Sequence, residues 1–427
     1  MRVAVSSFLG TAIEYYDFLL YSTMAALVFG SLFFPESGSG GVATIAAFGT
    51  LAAGYVARPI GGLLFGHYGD RLGRKRTLVA SMMLMGVAST LIGVLPGYDS
   101  IGIAAPALLI LLRTVQGIAV GGEYGGAALM IIEHAGARRR GSWVGIMQMG
   151  SSIGSLAATG AIALVTLLPE DDFESWGWRI PFMVSAALLI IGLYVRLSVT
   201  ESPIFKEAEA KERQQSAHSV PALEILKNQK KPLILACAVG IGPFALTALI
   251  SSYMIAYGTE VGFSRSEVIQ AMLMVNIMST FTIPAFSALS DFAGRKPVVV
   301  SGAVGAVLWA WPMYAMAGSG SVWMLTVGMM IGQVVQNLMY SPLASMFSEM
   351  FSTEVRYTGV SMGYQMASLL GAGFTPMLAA TLVLATGGSS LPLILIMVTA
   401  ACVTLVALTM LREPRGVDLV GSISPTK

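Results

Sequence analysis

Five ionisable residues stand inside hydrophobic runs that offer them no water: Glu14 and Asp17 in the first run, Arg58 in the second, Arg113 and Glu123 in the fourth. A charge near the middle of a bilayer costs about 2.5–3.5 kcal/mol on insertion scales, so each needs a partner or a task. Glu14 and Asp17 are three residues apart and share one helix face. Two carboxylates side by side in low dielectric cannot both ionise cheaply, which suits the pair to carrying a proton. The competing role for Glu14 is a cap or a polar pairing between helices.

Arg113 does not deprotonate, so it must face an anion: a neighbouring carboxylate or the carboxylate of a ligand. Gln116 lies one turn on, and Glu123 falls on nearly the same stripe, a further candidate for holding a proton. Arg58 and Glu123 sit at similar depth, roughly 12–15 Å from one membrane face by helical rise. Either they pair with each other or Arg58 holds the ligand.

The later runs hold no full charge at depth. They offer Gln333, Gln336, Asn337 and Tyr340, at i, i+3, i+4 and i+7 on one helix face. Tyr253 and Tyr257 share another face, and Asn276 and Gln365 add amides. Tyr21, four residues beyond Asp17, is grouped with them as a ligand-contacting side chain. Such groups also serve simply to join membrane helices. One or two cationic anchors among many neutral donors favour a hydroxylated monocarboxylate over a tricarboxylate. No catalytic constellation or cofactor motif accompanies them. The glycines of Gly121–Gly126 follow no strand, so they read as close packing rather than a phosphate loop. His67 and His134 stand at loop edges, and Cys237 and Cys402 read as small apolar residues without metal-binding partners.

These groups ride on membrane helices. Of 427 residues, 55% are hydrophobic and only 11% charged, too few to coat a water-exposed surface. Twelve apolar segments are expected, at roughly 3–29, 42–66, 77–96, 105–133, 142–168, 180–198, 232–257, 265–289, 297–317, 322–348, 358–386 and 391–411. The first carries two acids and lacks a small-residue cleavage site, so it does not read as a removable signal. Arg71, Arg74, Lys75 and Arg76 form a basic hairpin after the second segment. Placing that hairpin in the cytoplasm puts nearly all other loop bases there too, with both termini inside.

The chain repeats itself. GHYGDRLGRK at 66–75 returns as SALSDFAGRK at 287–296; Asp291 follows Asp70 by 221 residues. Glu133 with Arg140, seven apart, matches Glu349 with Arg356, and Glu201-Ser-Pro203 matches Glu413-Pro414. The reading is an all-α membrane protein of twelve transmembrane helices in two pseudo-symmetric six-helix halves. Residues 1–198 and 232–411 form the halves, 199–231 a cytoplasmic linker and 412–427 a short tail. Charged hairpins duplicated in a hydrophobic chain point to a transporter.

GTAIEYYDF (10–18), VARPIGG (56–62), FGHYGDRLGRK (65–75), RTVQGIAVGGEYGGAAL (113–129) and WGWRIPF (176–182) resemble the metabolite:proton symporter family of the major facilitator superfamily. The resemblance spans essentially the whole chain. It implies proton-coupled uptake, by alternating access, of a small organic acid such as shikimate, in a bacterial inner membrane. Asp17, Glu14 and Glu123 would couple protons. Arg113, the deep arginine of RTVQG, would belong to the coupling site, and Arg113, Arg58 and the amide and tyrosine groups would bind substrate. A cytoplasmic latch would comprise Gly66, Asp70, Arg71, Gly73, Arg74, Glu133 and Arg140, with Asp291, Gly294, Arg295, Glu349 and Arg356. Ser287 and Phe292 depart from the first copy, so the second latch is expected to be the weaker. The expected partners are the organic acid, protons and the lipid bilayer, with no nucleic acid and no cofactor, in a monomer. The alternatives are a proton-independent facilitator, a symporter of a dicarboxylate or zwitterionic osmolyte, or a membrane receptor without transport.

Overall fold

The computed structural model describes residues 2–35, 40–72, 74–122, 124–134, 139–198, 225, 227–352 and 355–415; the side chains of 2–6, 40, 66–75, 124, 127, 130, 133–134, 196 and 198 fall outside this description. The Asp70 hairpin side chains, Glu123, Glu133 and most of the linker therefore lie outside the described residues.

Among the described residues twelve helices are long and apolar enough to cross a membrane. They are α1 (Ser7–Phe33), α2 (Gly41–Phe65), α3 (Arg76–Gly93), α4 (Ala104–Gly121), α5 (Arg140–Val165) and α6 (Gly177–Val195), then α7 (Lys230–Glu260), α8 (Arg265–Ala293), α9 (Arg295–Ala317), α10 (Val322–Met350), α11 (Arg356–Ala385) and α12 (Leu391–Thr409). Their ends fall within four residues of the sequence expectation, with one correction. The fourth segment stops at Gly121, and Tyr124–His134 forms a separate helix. The pair Gly121-Gly122 is apolar enough to extend a hydrophobic run but is a poor helix former.

Small residues let the helices meet. Gly117 of α4 lies against α2 so closely that a Cβ there would stand 2.0 Å from the carbonyl oxygen of Gly54. That approach sets the α2–α4 spacing on which Arg58 and Arg113 depend. Gly117→Ala forces the backbones apart, and overpacking of this kind costs about 1–3 kcal/mol. A lower melting temperature in detergent is expected, while Gly160→Ala, where a Cβ would meet nothing within 4 Å, is the control that leaves it unreduced.

Among the described residues three membrane helices contain a π-turn: Ala25–Phe29 in α1, Leu249–Tyr253 in α7 and Leu369–Gly373 in α11. α1 and α7 are the first helices of their halves, and their π-turns lie far from the face where the Arg140 end of α5 and the Arg295 end of α9 emerge. π-turns accommodate one extra residue and concentrate at functional bends.

Candidate functional site

The halves enclose a cavity of about 60 Å³. α1 contributes Glu14, Tyr15 and Phe18, and α2 contributes Tyr55 and Arg58. α5 supplies Ser151, Ser152 and Ser155, while α8 supplies Asn276 and Ser279. α10 closes the far side with Gln333, Gln336, Asn337 and Tyr340. One side is thus charged, the other hydroxyl and amide, with aromatic rings between.

Arg58 is 8% exposed, and its guanidinium lies 4.2 Å from the Tyr55 ring centroid and 5.2 Å from that of Phe18. A planar cation held on ring faces keeps its N–H edges for an anion. On α10 most amide donors are already used. Gln336 donates to Thr247 Oγ1 (2.7 Å) and Asn337 to Thr282 Oγ1 (2.7 Å) and Ser279 Oγ (3.1 Å). Gln333 donates to both Gln336 and Asn337, leaving its buried Oε1 without a partner among the described residues. Gln336 and Asn337 are therefore joints between helices, and Gln333 is the amide with an acceptor to spare.

A second space, about 10 Å³, shares Glu14, Phe18 and Arg58 with the cavity and is also lined by Asp17, Arg113 and Gln116. Five of the polar residues singled out from sequence thus meet in one place. Ser185 of α6 donates to Asp17 Oδ1 at 2.5 Å, whereas the buried Oδ2 has no partner among the described residues. Arg113 Nη1 donates to Gln116 Oε1 (3.1 Å), and Gln116 Nε2 to Ser89 Oγ (2.7 Å). The Arg113 guanidinium lies 4.2 Å from the Tyr21 ring centroid, and the Tyr21 hydroxyl meets Thr50 Oγ1 at 2.5 Å. Tyr21 therefore backs Arg113 rather than facing the cavity.

Tyr253 and Tyr257 do not line the cavity either. They stack at 6.5 Å near Phe48, on the side where Ser22 Oγ donates to Ser252 Oγ at 2.6 Å and joins α1 to α7. On the other side of the cavity the Tyr15 hydroxyl lies 2.7 Å from that of Tyr340 and 3.2 Å from that of Tyr364. Cross-half bonds bound the cavity at both ends.

The face where α5 and α9 begin carries a buried ion network. Asp291 of α8 accepts from the backbone N–H groups of Gly141 (2.9 Å) and Ser142 (2.8 Å), capping the N-terminus of α5 in the other half. It also accepts from Arg295 Nη1 at 2.7 Å. Glu349 takes Arg140 at 3.5 Å and Arg295 at 3.3 Å. Arg356 donates to the carbonyl of Phe351 at 3.3 Å. Gly294, at φ 101°, turns the chain from α8 into α9, whose first N–H groups, at Arg295 and Lys296, both donate to Glu413 at 2.9 Å. Phe292 is 78% exposed and stays out of the network. At the opposite face Arg265 lies 3.5 Å from Glu170 and 3.2 Å from Glu174, all three partly exposed.

Sequence reading missed Tyr15, Tyr364, Ser185 and the serines of α5. Ser and Tyr are inexpensive in membrane helices, so their presence alone does not mark them.

Twelve helices in two halves around a central polar cavity, whose charged lining comes from one half, define a membrane transporter rather than an enzyme. The sequence profile described as "Major Facilitator Superfamily" matches residues 7–285 and 244–423, and the chain belongs to that family. It is 39% identical over 421 residues to the inner membrane metabolite transport protein YhjE of Escherichia coli (strain K12), covering 97% of this chain and 94% of the relative. It is 38% identical over 390 residues to the shikimate transporter of the same organism, covering 90% and 87%. Among solved structures, a D-xylose-proton symporter superposes with a TM-score of 0.76 at 18% identity, covering 97% of this chain and 98% of the other; at that identity the likeness concerns the fold.

Proposed function

We propose that this protein is a proton-coupled symporter that takes up a small hydroxylated monocarboxylate of the shikimate kind by alternating access. The observation that carries the reading is the division of its two membrane arginines. Arg58 lines the central cavity, while Arg113 lies behind it with Asp17. Arg58 then holds the substrate carboxylate, and Gln333 and the α5 and α8 hydroxyls receive the substrate hydroxyls. Asp17 takes the coupling proton, which removes a negative charge beside Arg113 and lets the halves rock. The ion network of Asp291, Arg295, Glu349 and Arg140 holds one face shut while the other opens. A membrane potential of 100 mV supplies about 2.3 kcal/mol per charge moved. That sustains about 50-fold accumulation, so one proton per cycle suffices.

The basic loops and the name of the YhjE relative support a multi-pass protein of a bacterial inner membrane, with both termini in the cytoplasm. Residues 1–198 and 232–411 act as the two moving halves, joined by 199–231 and followed by the tail 412–427. The described lining of the cavity comes from one chain, which supports a monomer as the working unit.

Uptake of labelled shikimate into proteoliposomes under an imposed inward proton gradient tests this. Wild type concentrates the label, and Asp17→Asn does not, although it still exchanges label across the membrane. Uptake that merely equilibrates and ignores the gradient would replace symport with facilitated diffusion. Movement of α-ketoglutarate or betaine instead would keep the mechanism and change the substrate.

A further inference from the structure

We infer that the small space behind Arg58 is a one-water proton chamber, through which Glu14 hands the coupling proton to Asp17. The inference rests on the proposed symport and adds the route and the order of its two acids.

A space of about 10 Å³ matches what a single water needs when it has polar partners. Those partners are present and complementary. Asp17 Oδ2 is a buried acceptor and Arg113 Nε a buried donor, and neither has a hydrogen-bond partner among the described residues. Both residues line the chamber. A water there donates to the first and accepts from the second, which satisfies two groups whose isolation is otherwise costly.

The chamber exists because residue 54 is glycine. Gly54 lines it, and a Cβ on that residue would stand 2.7 Å from Arg113 Nε and crowd the donor that the water is to meet. The surrounding charges are Glu14 and Asp17 on α1, Arg58 on α2 and Arg113 on α4; Phe18 of α1, Met85 of α3 and Gln116, Gly117 and Val120 of α4 complete the wall with Gly54.

Connectivity gives the order. Glu14 borders both the central cavity and the chamber, whereas Asp17 borders the chamber alone. Glu14 is thus the carboxyl, among the described residues, that meets both spaces. A proton from the cavity first occupies the Glu14 carboxylate. Glu14 then gives a proton to the water as the water gives another to Asp17 Oδ2. Glu14 ends ionised, Asp17 neutral and the water unchanged, so charge and atoms balance. Glu14 governs how fast the proton arrives, and Asp17 governs whether accumulation occurs at all.

Three variants separate these roles in the gradient-driven proteoliposome assay. Glu14→Gln should slow the initial rate by at least about ten-fold, the scale of a lost proton-transfer group, yet reach the wild-type accumulation ratio. Gly54→Ala, which fills the chamber, should show the same slow approach to the same ratio, with gradient-independent exchange retained as the check on folding. Asp17→Asn should accumulate nothing. Loss of accumulation in Glu14→Gln would make Glu14 itself the acceptor and overturn the relay. A wild-type rate in Glu14→Gln would overturn it as well. Accumulation by Asp17→Asn would remove Asp17 as the acceptor and overturn the relay, whereas wild-type uptake that merely equilibrates would defeat the symport reading on which the relay stands.

Discussion

Replacing Glu349 with glutamine is expected to lower the melting temperature of the purified protein by several degrees and to release the face where α5 and α9 begin. The Glu349 side chain is fully buried and serves two guanidiniums, those of Arg140 and Arg295, which are themselves 5% and 1% exposed. Removing one partner from a buried ion network costs about 3–5 kcal/mol, because the remaining charges stay in low dielectric without compensation. Among the described residues Asp291 would remain as the carboxylate beside Arg295, and two of its hydrogen bonds already go to the backbone of α5. The loss falls on the closed arrangement, so the closed-to-open ratio at this face should drop by about two to three and a half orders of magnitude. Spin labels at Arg139 and Phe292, both exposed and in opposite halves, report the separation directly. Unchanged distances and an unchanged melting temperature would mean that apolar packing, not the ion network, holds this face.

Arg58→Gln is expected to weaken the apparent affinity for a carboxylate substrate by about 10- to 200-fold, corresponding to about 1.5–3 kcal/mol for a charge-assisted hydrogen bond. The Tyr55 and Phe18 rings hold the guanidinium in place beforehand, so little ordering remains to be done at binding. Arg58→Lys keeps the charge but loses the flat contact with Tyr55, and should fall between the two. Substrate binding to detergent-solubilised protein measures this without transport. Normal binding by Arg58→Gln, together with lost binding by Arg113→Gln, would move the carboxylate to Arg113.

The membrane helices were legible because hydrophobic runs and charged loops contrast so strongly, and the buried charges were legible for the same reason. Glu14, Asp17, Arg58, Arg113 and Gln116 stand out of the sequence and meet around one chamber. The direction of neutral polar groups was harder to read. A 3.6-residue period places Tyr253 and Tyr257 on one face but does not say which space that face meets. The π-turn Leu249–Tyr253 breaks the α-helical register there, and Tyr253 packs beside Phe48 and Tyr257 between Tyr253 and Tyr314 instead of lining the cavity. The amides of α10 share a face as their spacing indicates, yet spacing does not reveal that Gln336 and Asn337 spend their donors on α7 and α8. Asp291 was visible as the echo of Asp70. Its partners were not, since two of them are backbone N–H groups of a distant helix that carry no side-chain signature.

The two closures differ in their relation to the surrounding solution. The network around Glu349 is sealed from water, whereas Arg265 sits between two acids whose side chains are 74% and 43% exposed. Mobile ions damp attraction between exposed charges beyond about 8 Å at physiological ionic strength and weaken exposed pairs generally, but they barely reach a buried one. One end of the molecule is therefore insulated from its medium, and the other is tuned by it. Brine and fresh water bathing the Arg265 face leave the Glu349 network equally strong while altering how readily the far closure lets go. The carrier thus meets its two compartments on unequal terms, with an environmental dial on one side and a fixed setting on the other.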